Sequence, residues 1–264
     1  MQPDHGTPAR MGRVRLVGAG PGSADLLTLR ALKAIQSADV ILFDALVGDD
    51  IRALFPPGAR CIEVGKRGHR PSTPQDFINR LMLRFARTGA VVARLKGGDP
   101  SIFGRAAEER AYLEDHGVPV EVVPGITTAS AAAAEFGFSL TTRAGARRVV
   151  IATGRTLDGA SGDWAAIADP STTLCLYMGC ADISSISQQL IQAGMSRETP
   201  AIAAIDVSRP GSRLVSSTID QLADALSHEK IAAPVFICIG LACADAISAA
   251  PELSLLRAAG LQAC

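Results

Sequence analysis

Between Arg94 and Arg105 the chain reads Arg-Leu-Lys-Gly-Gly-Asp-Pro-Ser-Ile-Phe-Gly-Arg, directly after the apolar run Ala90-Val91-Val92-Ala93. The apolar run predicts a buried strand, and Gly97, Gly98 and Pro100 break it. Glycines let backbone press close against a ligand because no Cβ intervenes. Asp99 adds an acceptor, and Arg94, Lys96 and Arg105 add positive charge. A loop of this make-up at the end of a strand is a typical ligand position in an open α/β sheet.

Other polar or glycine-rich segments follow predicted strands in the same way. Val14 to Val17 runs into Gly18-Ala19-Gly20-Pro21-Gly22, and Val40 to Phe43 ends at Asp44. Cys61 to Val64 ends at Gly65-Lys66-Arg67, and Val120 to Val123 ends at Pro124-Gly125. Helices are predicted over 23–37, with Ser23 as N-cap and Leu26, Leu29, Leu32 and Ile35 as its apolar stripe, and over 74–88 and 105–116. The alternation indicates an α/β domain with a largely parallel sheet, so these loops share one ligand-binding edge.

A second α/β domain is expected beyond a boundary near 138–146. Its strands are predicted at 149–152, 174–177, 201–205 and 235–239, and its helices at 182–193 and 219–227. The expected organisation is a disordered leader over 1–12, domains over 13–138 and 139–245, and a tail over 246–264.

The 264 residues carry 26 basic and 26 acidic side chains, which argues against wholesale binding to nucleic acid or membrane surfaces. Local basic clusters exist at Arg60, Lys66, Arg67, His69 and Arg70, and at Arg143, Arg147 and Arg148. The six cysteines show no CxxC spacing and there are only four histidines, so no zinc signature is present and no metal is expected. Cys175 and Cys238 sit in apolar runs and read as small core side chains. With no signal-peptide pattern and no apolar stretch of membrane-spanning length, a cytoplasmic protein is expected.

Gly18-Ala19-Gly20-Pro21-Gly22 invites comparison with dinucleotide sites, and Asp44 stands where their acidic residue would. The spacing is GxGxG, however, and Pro21 has no N–H to offer a pyrophosphate.

The ordered set is more specific than any of its parts. Val17 to Gly22, Leu26 to Leu29, Asp44-Ala45-Leu46-Val47, Gly65-Lys66-Arg67, Arg94 to Gly104, Val123 to Thr127 and Tyr177-Met178-Gly179 together resemble the uroporphyrinogen-III C-methyltransferases, within the tetrapyrrole methylases. The resemblance spans about residues 14–240. It implies two α/β domains with the active site in the cleft between them, usually in a homodimer. It also implies S-adenosyl-L-methionine (SAM) as methyl donor and S-adenosyl-L-homocysteine as product. The implied reaction methylates uroporphyrinogen III at C2 and C7 to give precorrin-2, the branch point to sirohaem, cobalamin and haem d1.

By the same resemblance, Pro21, Gly97, Gly98, Asp99, Ile102, Thr127, Thr128, Met178 and Val207 are expected to bind SAM. Asp44 and Lys66 match the family's proton acceptor and donor. Arg105 and Glu108 match positions in substrate binding or proton handling, and Arg67 and Arg143 are expected on the substrate side. A substrate with eight carboxylates suits arginines, whose planar fork grips a carboxylate at two points.

The chain departs from the family pattern at Ala106 and Ala107, where glycines are common, at Thr142, where histidine is common, and at Ile205 to Ser208, where the common pattern is Glu-Asn-Gly-Thr. These departures leave open a methylase of a later precorrin. A catalytically weak paralogue that binds tetrapyrrole or SAM is a further alternative, opposed by the intact Asp44, Lys66, Arg105 and Glu108. The neutral charge and the Gly65-Lys66-Arg67 match speak against a ribosomal RNA methylase.

Overall fold

The computed structural model describes residues 11–65, 73–143, 145–154 and 164–247. The chain divides into two compact units, 1–127 and 128–264.

The first unit alternates strand and helix. Its elements are β1 (Arg13–Gly18), α1 (Leu29–Gln36), β2 (Val40–Phe43), α2 (Asp49–Arg52), β3 (Arg60–Glu63), α3 (Gln75–Arg87), β4 (Val91–Lys96), α4 (Ala106–Asp115) and β5 (Val120–Val123). The strands lie in the order β3-β2-β4-β1-β5, and every pairing is parallel. All five carboxyl ends therefore share one edge, and β4 lies at the centre. Two apolar layers cover the sheet. Val14, Leu16, Val40, Leu42 and Val92 pack with Met82 of α3 and Leu113 of α4. On the other face, Val17, Ile41, Ala93 and Leu95 pack with Ala31, Ala34 and Ile35 of α1.

The predicted helix over 23–37 is two pieces. A 3-10 turn covers Ala24–Leu26, and α1 starts only after Thr28, whose Oγ1 accepts from the Ala31 N–H at 3.0 Å. Ser23 makes no cap bond and donates instead to Asp25. The expected leucine stripe fails at Leu29, which is 78% exposed. The small residues Ala31 and Ala34 face the sheet instead, with Ile35.

The second unit contains α5 (Thr128–Glu135), β6 (Arg148–Thr153), β7 (Thr172–Tyr177), α6 (Ile183–Gln192), β8 (Pro200–Ile205), β9 (Arg213–Thr218), α7 (Leu222–Ser227) and β10 (Val235–Ile239). Its strand order is β6-β7-β10-β8-β9. Only β6 and β7 pair in parallel; the other neighbours are antiparallel. β9 does not figure among the predicted strands. Arg-Leu-Val-Ser-Ser-Thr carries no apolar alternation, because an edge strand paired only with β8 need not bury a full face. Helix α5 is also absent from the sequence reading. Its alanines form good helix but no amphipathic contrast, and Ala129, Ala131, Ala132 and Ala133 are buried. The division at 127/128 and the expected boundary at 138/139 differ by this one helix.

Cys175 and Cys238 face each other across β7 and β10, both fully buried. The contact with Cys238, together with burial, pushes the Cys175 thiol well above its ordinary value. The same contact lowers the Cys238 thiol, but its contact with Cys243 and burial outweigh this and raise it, so both act as core side chains. No helix among the described residues is long and apolar enough to cross a membrane.

Candidate active site

In the first unit the strand-end loops meet through glycine. Gly20 and Gly98 form an isolated antiparallel bridge, with Gly98 N–H donating to Gly20 O at 2.7 Å and Gly20 N–H to Gly98 O at 3.2 Å. Both have positive φ, 72° and 68°, the region that favours glycine. A Cβ on Gly125 would lie 2.3 Å from Gly98 O and 2.8 Å from Gly18 Cα. The ends of β1, β4 and β5 therefore lie in direct backbone contact. On its outer side, a Cβ at Gly98 would meet nothing within 4 Å among the described residues. This is a backbone cradle opening to free space, and it fits a ligand such as SAM that approaches peptide groups closely.

Asp99 does more structural work than its sequence context implies. Its Oδ2 accepts from Gly125 N–H at 2.9 Å and its Oδ1 from Ser101 N–H at 2.7 Å. The carboxylate thus ties the loop after β4 to the loop after β5. Ile102 is half-buried in the same loop. Phe103 and Arg105 both hold positive φ, 52° and 56°, without being glycine. Such backbone strain persists only where its surroundings impose it, and it concentrates at functional sites. Gly104, between them, leaves no room for a Cβ, which would lie 2.5 Å from Pro100 O.

The three cations of the loop separate into two groups. Arg105 is exposed at the start of α4, where it makes a two-point ion pair with Glu108: Nε to Oε1 at 3.0 Å and Nη2 to Oε2 at 2.5 Å. The hydrogen bond from Arg105 holds the Glu108 carboxyl below its ordinary value, so Glu108 is a carboxylate at neutral pH.

Arg94 and Lys96, which add positive charge to this segment, are buried. Strand parity explains this, because residues 94 and 96 share the face of Val92 and point under α4. There Lys96 Nζ donates to Glu109 Oε1 at 2.8 Å, and Arg94 Nε lies 3.4 Å from the same oxygen. Gln75 Nε2 is a third donor to it, at 2.9 Å. Burial lowers the Lys96 ammonium from its ordinary value, with the neighbouring Arg94 charge adding to the effect. Arg94 Nη2 reaches forward to Asp44 Oδ1 at 2.6 Å. Asp44, at the end of β2, is 27% exposed. Arg94, Lys96 and Glu109 are thus site neighbours that the candidate set omits. The acidic pair Glu108-Glu109, with one member turned inward and one outward, was the available signal.

Pro21 is half-buried in the loop after β1. Gly65 packs against the loop after β2, where a Cβ would lie 2.2 Å from Ala45 N. Lys66 and Arg67 lie outside the described residues.

In the second unit, β7 and β8 run in the same direction, each antiparallel to β10, so Met178 and Val207 follow strands at one edge. Met178 is 51% exposed with φ 54°. Val207 is buried between Asp206 and Ser208, both with positive φ. Tyr177 Oη accepts from Ala129 N–H at 2.9 Å, which brings Thr128, at the start of α5, to the end of β7. Glu135 supports the other loop, its Oε2 accepting from Ser208 N–H at 2.8 Å. Thr127 is half-buried at the end of the first unit, and Arg143 is exposed in the second.

Comparison with known proteins places the chain in a family. The profile of the Tetrapyrrole (Corrin/Porphyrin) Methylases matches residues 13–223. The chain is 43% identical over 251 residues to a uroporphyrinogen-III C-methyltransferase of Paracoccus denitrificans, covering 94% of this chain and 88% of that protein. Among solved structures it is similar to the uroporphyrin-III C-methyl transferase of Thermus thermophilus in complex with S-adenyl homocysteine. The TM-score is 0.75 at 37% identity, covering 88% of this chain and 98% of that one. A cobalt precorrin-4 methyltransferase aligns with TM-score 0.78 at 29% identity, over 88% of this chain and 95% of that one. The chain belongs to the tetrapyrrole methylase family.

Proposed function

We propose that the protein is a SAM-dependent C-methyltransferase that methylates uroporphyrinogen III at C2 and C7 to give precorrin-2. The observation that carries this reading is the 43% identity, over 94% of the chain, to an enzyme of that name. SAM supplies an electrophilic methyl group on a sulfonium centre; the protein's part is to orient the acceptor carbon and to take up a proton from the macrocycle.

We assign SAM to Pro21, Gly97, Gly98, Asp99, Ile102, Thr127, Thr128, Met178 and Val207. Support comes from the open backbone cradle at Gly98 and from the strained loops that present Met178 and flank Val207. We assign substrate carboxylates to Arg105 and Arg143, with Arg67, and proton transfer to Asp44 and Lys66. Arg105 is already engaged by Glu108, so an incoming carboxylate exchanges with Glu108 for the guanidinium fork. The released Glu108 is ionised and is a proton or hydrogen-bond acceptor beside the ring. A homodimer and a cytoplasmic location belong to the same proposal and rest on the family resemblance.

The departures at 106, 107 and 142 have local structural explanations. Ala106 is buried against the first unit's core, and it and Ala107 open helix α4, where alanine suits the helix better than glycine. Thr142 Oγ1 accepts from Gly145 N–H at 3.2 Å and Ala146 N–H at 3.0 Å, fixing its own turn.

The test is transfer of label from methyl-labelled SAM to uroporphyrinogen III under anaerobic conditions. Label in the tetrapyrrole is expected; SAM binding without transfer would overturn the proposal. In the same assay Arg105→Ala is expected to lower kcat/KM about tenfold or more, the scale of one charge-assisted hydrogen bond. SAM affinity should stay unchanged in calorimetry. Unchanged turnover would remove Arg105 from the site.

A further inference from the structure

Four ionic side chains run in a line beneath the strand-end edge of the first unit: Lys96, Glu109, Arg94 and Asp44. The first three occupy ground that the fold otherwise fills with aliphatic residues. Arg94 pairs in register with Leu16 on one side and Leu42 on the other, and Val92 precedes it on the same face. The side chain of Arg94 is 3% exposed and that of Glu109 is wholly buried. Buried ion clusters seldom stabilise more than well-packed apolar residues would, so packing alone does not account for these charges.

The cluster has one outlet among the described residues, the partly exposed Asp44. All three nitrogens of the Arg94 guanidinium are fixed. Nη1 donates to Leu95 O at 2.8 Å, Nε faces Glu109, and Nη2 holds Asp44 Oδ1 at 2.6 Å. A carboxylate at the end of a strand can rotate about two bonds; this grip fixes one oxygen and leaves Oδ2 without a hydrogen bond among the described residues. Glu109 is bound one-sidedly, with three donors on Oε1 and none on Oε2. Glu109 and Asp44 together balance Arg94 and Lys96, so the two cations and the two acids sum to zero.

We infer that Arg94 is a positioning residue for methyl transfer. It aims the Asp44 carboxylate at the proton it accepts, while Glu109 and Lys96 form the buried base that keeps the guanidinium in place. This deepens, and rests on, the reading of Asp44 as proton acceptor. Arg94 touches neither substrate nor SAM in this scheme; it acts through Asp44 alone.

The experiment is a double-mutant cycle on the full chain with uroporphyrinogen III and SAM, using Arg94→Met, Asp44→Asn and both together. Rates are normalised to sites that bind S-adenosyl-L-homocysteine in calorimetry. Arg94→Met is expected to lower kcat about a hundredfold, the scale of a misplaced reacting group. KM for the tetrapyrrole should change less than about twofold, because no substrate contact is removed. In the Asp44→Asn background the same change should cost almost nothing further.

Should Arg94→Met alone fail to fold, Arg94→Met with Glu109→Gln removes one charge of each sign and keeps the buried sum at zero. This pair is expected to bind S-adenosyl-L-homocysteine normally and to show the same fall in kcat. An equal factor in both Asp44 backgrounds, or wild-type kcat in either Arg94 variant, would overturn the positioning role. Full turnover by Asp44→Asn would instead overturn the proton-acceptor reading, and the role of Arg94 with it.

Discussion

Glu109→Leu is expected to destabilise the protein by about 3–5 kcal/mol, because it strands two cations in the interior of the first unit. Glu109 Oε1 is an acceptor for both Lys96 and Arg94, and neither cation has solvent to turn to. Arg94 retains Asp44, whereas Lys96 loses its ion pair with Glu109. Glu109→Gln, which keeps an acceptor oxygen in place, should cost clearly less. Urea denaturation of the three proteins checks the order; a Leu variant as stable as wild type would refute it.

The pH dependence follows from Lys96. Its folded value lies below the ordinary 10.5, so the unfolded chain binds more protons between the two, and stability rises with pH across that interval. Glu109 opposes this lowering, so the Leu variant should depress Lys96 further and widen the interval. The deficit of Glu109→Leu relative to wild type is therefore expected to shrink as pH rises from neutral toward 10.5. A deficit independent of pH would show that lost packing, not the buried ammonium, is responsible.

Gly125→Ala is the second large effect. The added methyl would overlap Gly98 O at 2.3 Å and Gly18 Cα at 2.8 Å, all backbone, so no side chain can yield. Relief requires the loop after β5 to back away from the loop after β4, breaking the Asp99–Gly125 hydrogen bond and distorting the cradle at Gly98. A loss of about 3 kcal/mol is expected, at the upper end for overpacking. SAM affinity should fall at least about tenfold, or 1.4 kcal/mol, by calorimetry. Wild-type affinity in a folded Gly125→Ala protein would mean that this glycine contact does not shape the SAM site.

The sequence was most informative where pattern and position coincide. Val14 to Val17, Val40 to Phe43 and Val120 to Val123 are short apolar runs closed by glycine, proline or an acid, and each is a strand of the parallel sheet. Of these, only β2 is buried along its whole length; β1 and the edge strand β5 each carry a charged residue, Arg15 or Glu121, within the run. The strands are parallel, so the loops they feed share one edge of the sheet.

Direction was harder to read than position. Arg94 and Lys96 are indistinguishable from Arg105 by type, yet strand parity turns the first two under α4 while a left-handed backbone at Arg105 leaves the third in solvent. Asp99 illustrates a related limit. Its carboxylate is spent on two backbone N–H groups, that of Ser101 in its own loop and that of Gly125 in a loop distant in sequence, and no local pattern shows the second. The second unit was less legible for another reason. In α5 the residues meeting the core are alanines, as small as those facing away, so burial leaves no periodic mark. In β9 half of the ladder is missing because the strand lies at an edge. The close contacts of Gly18, Gly98 and Gly125 were foreshadowed only as three separate glycine-bearing loops.

Methylation at two specific carbons is tested most directly by the positions of the methyl groups in the product. Uroporphyrinogen III should be converted anaerobically with SAM carrying a carbon-13 methyl group, and the product examined by carbon-13 NMR. Two labelled methyl carbons, at C2 and C7, and no others are expected. An unmethylated product, or label at any other ring carbon, would contradict the proposed function.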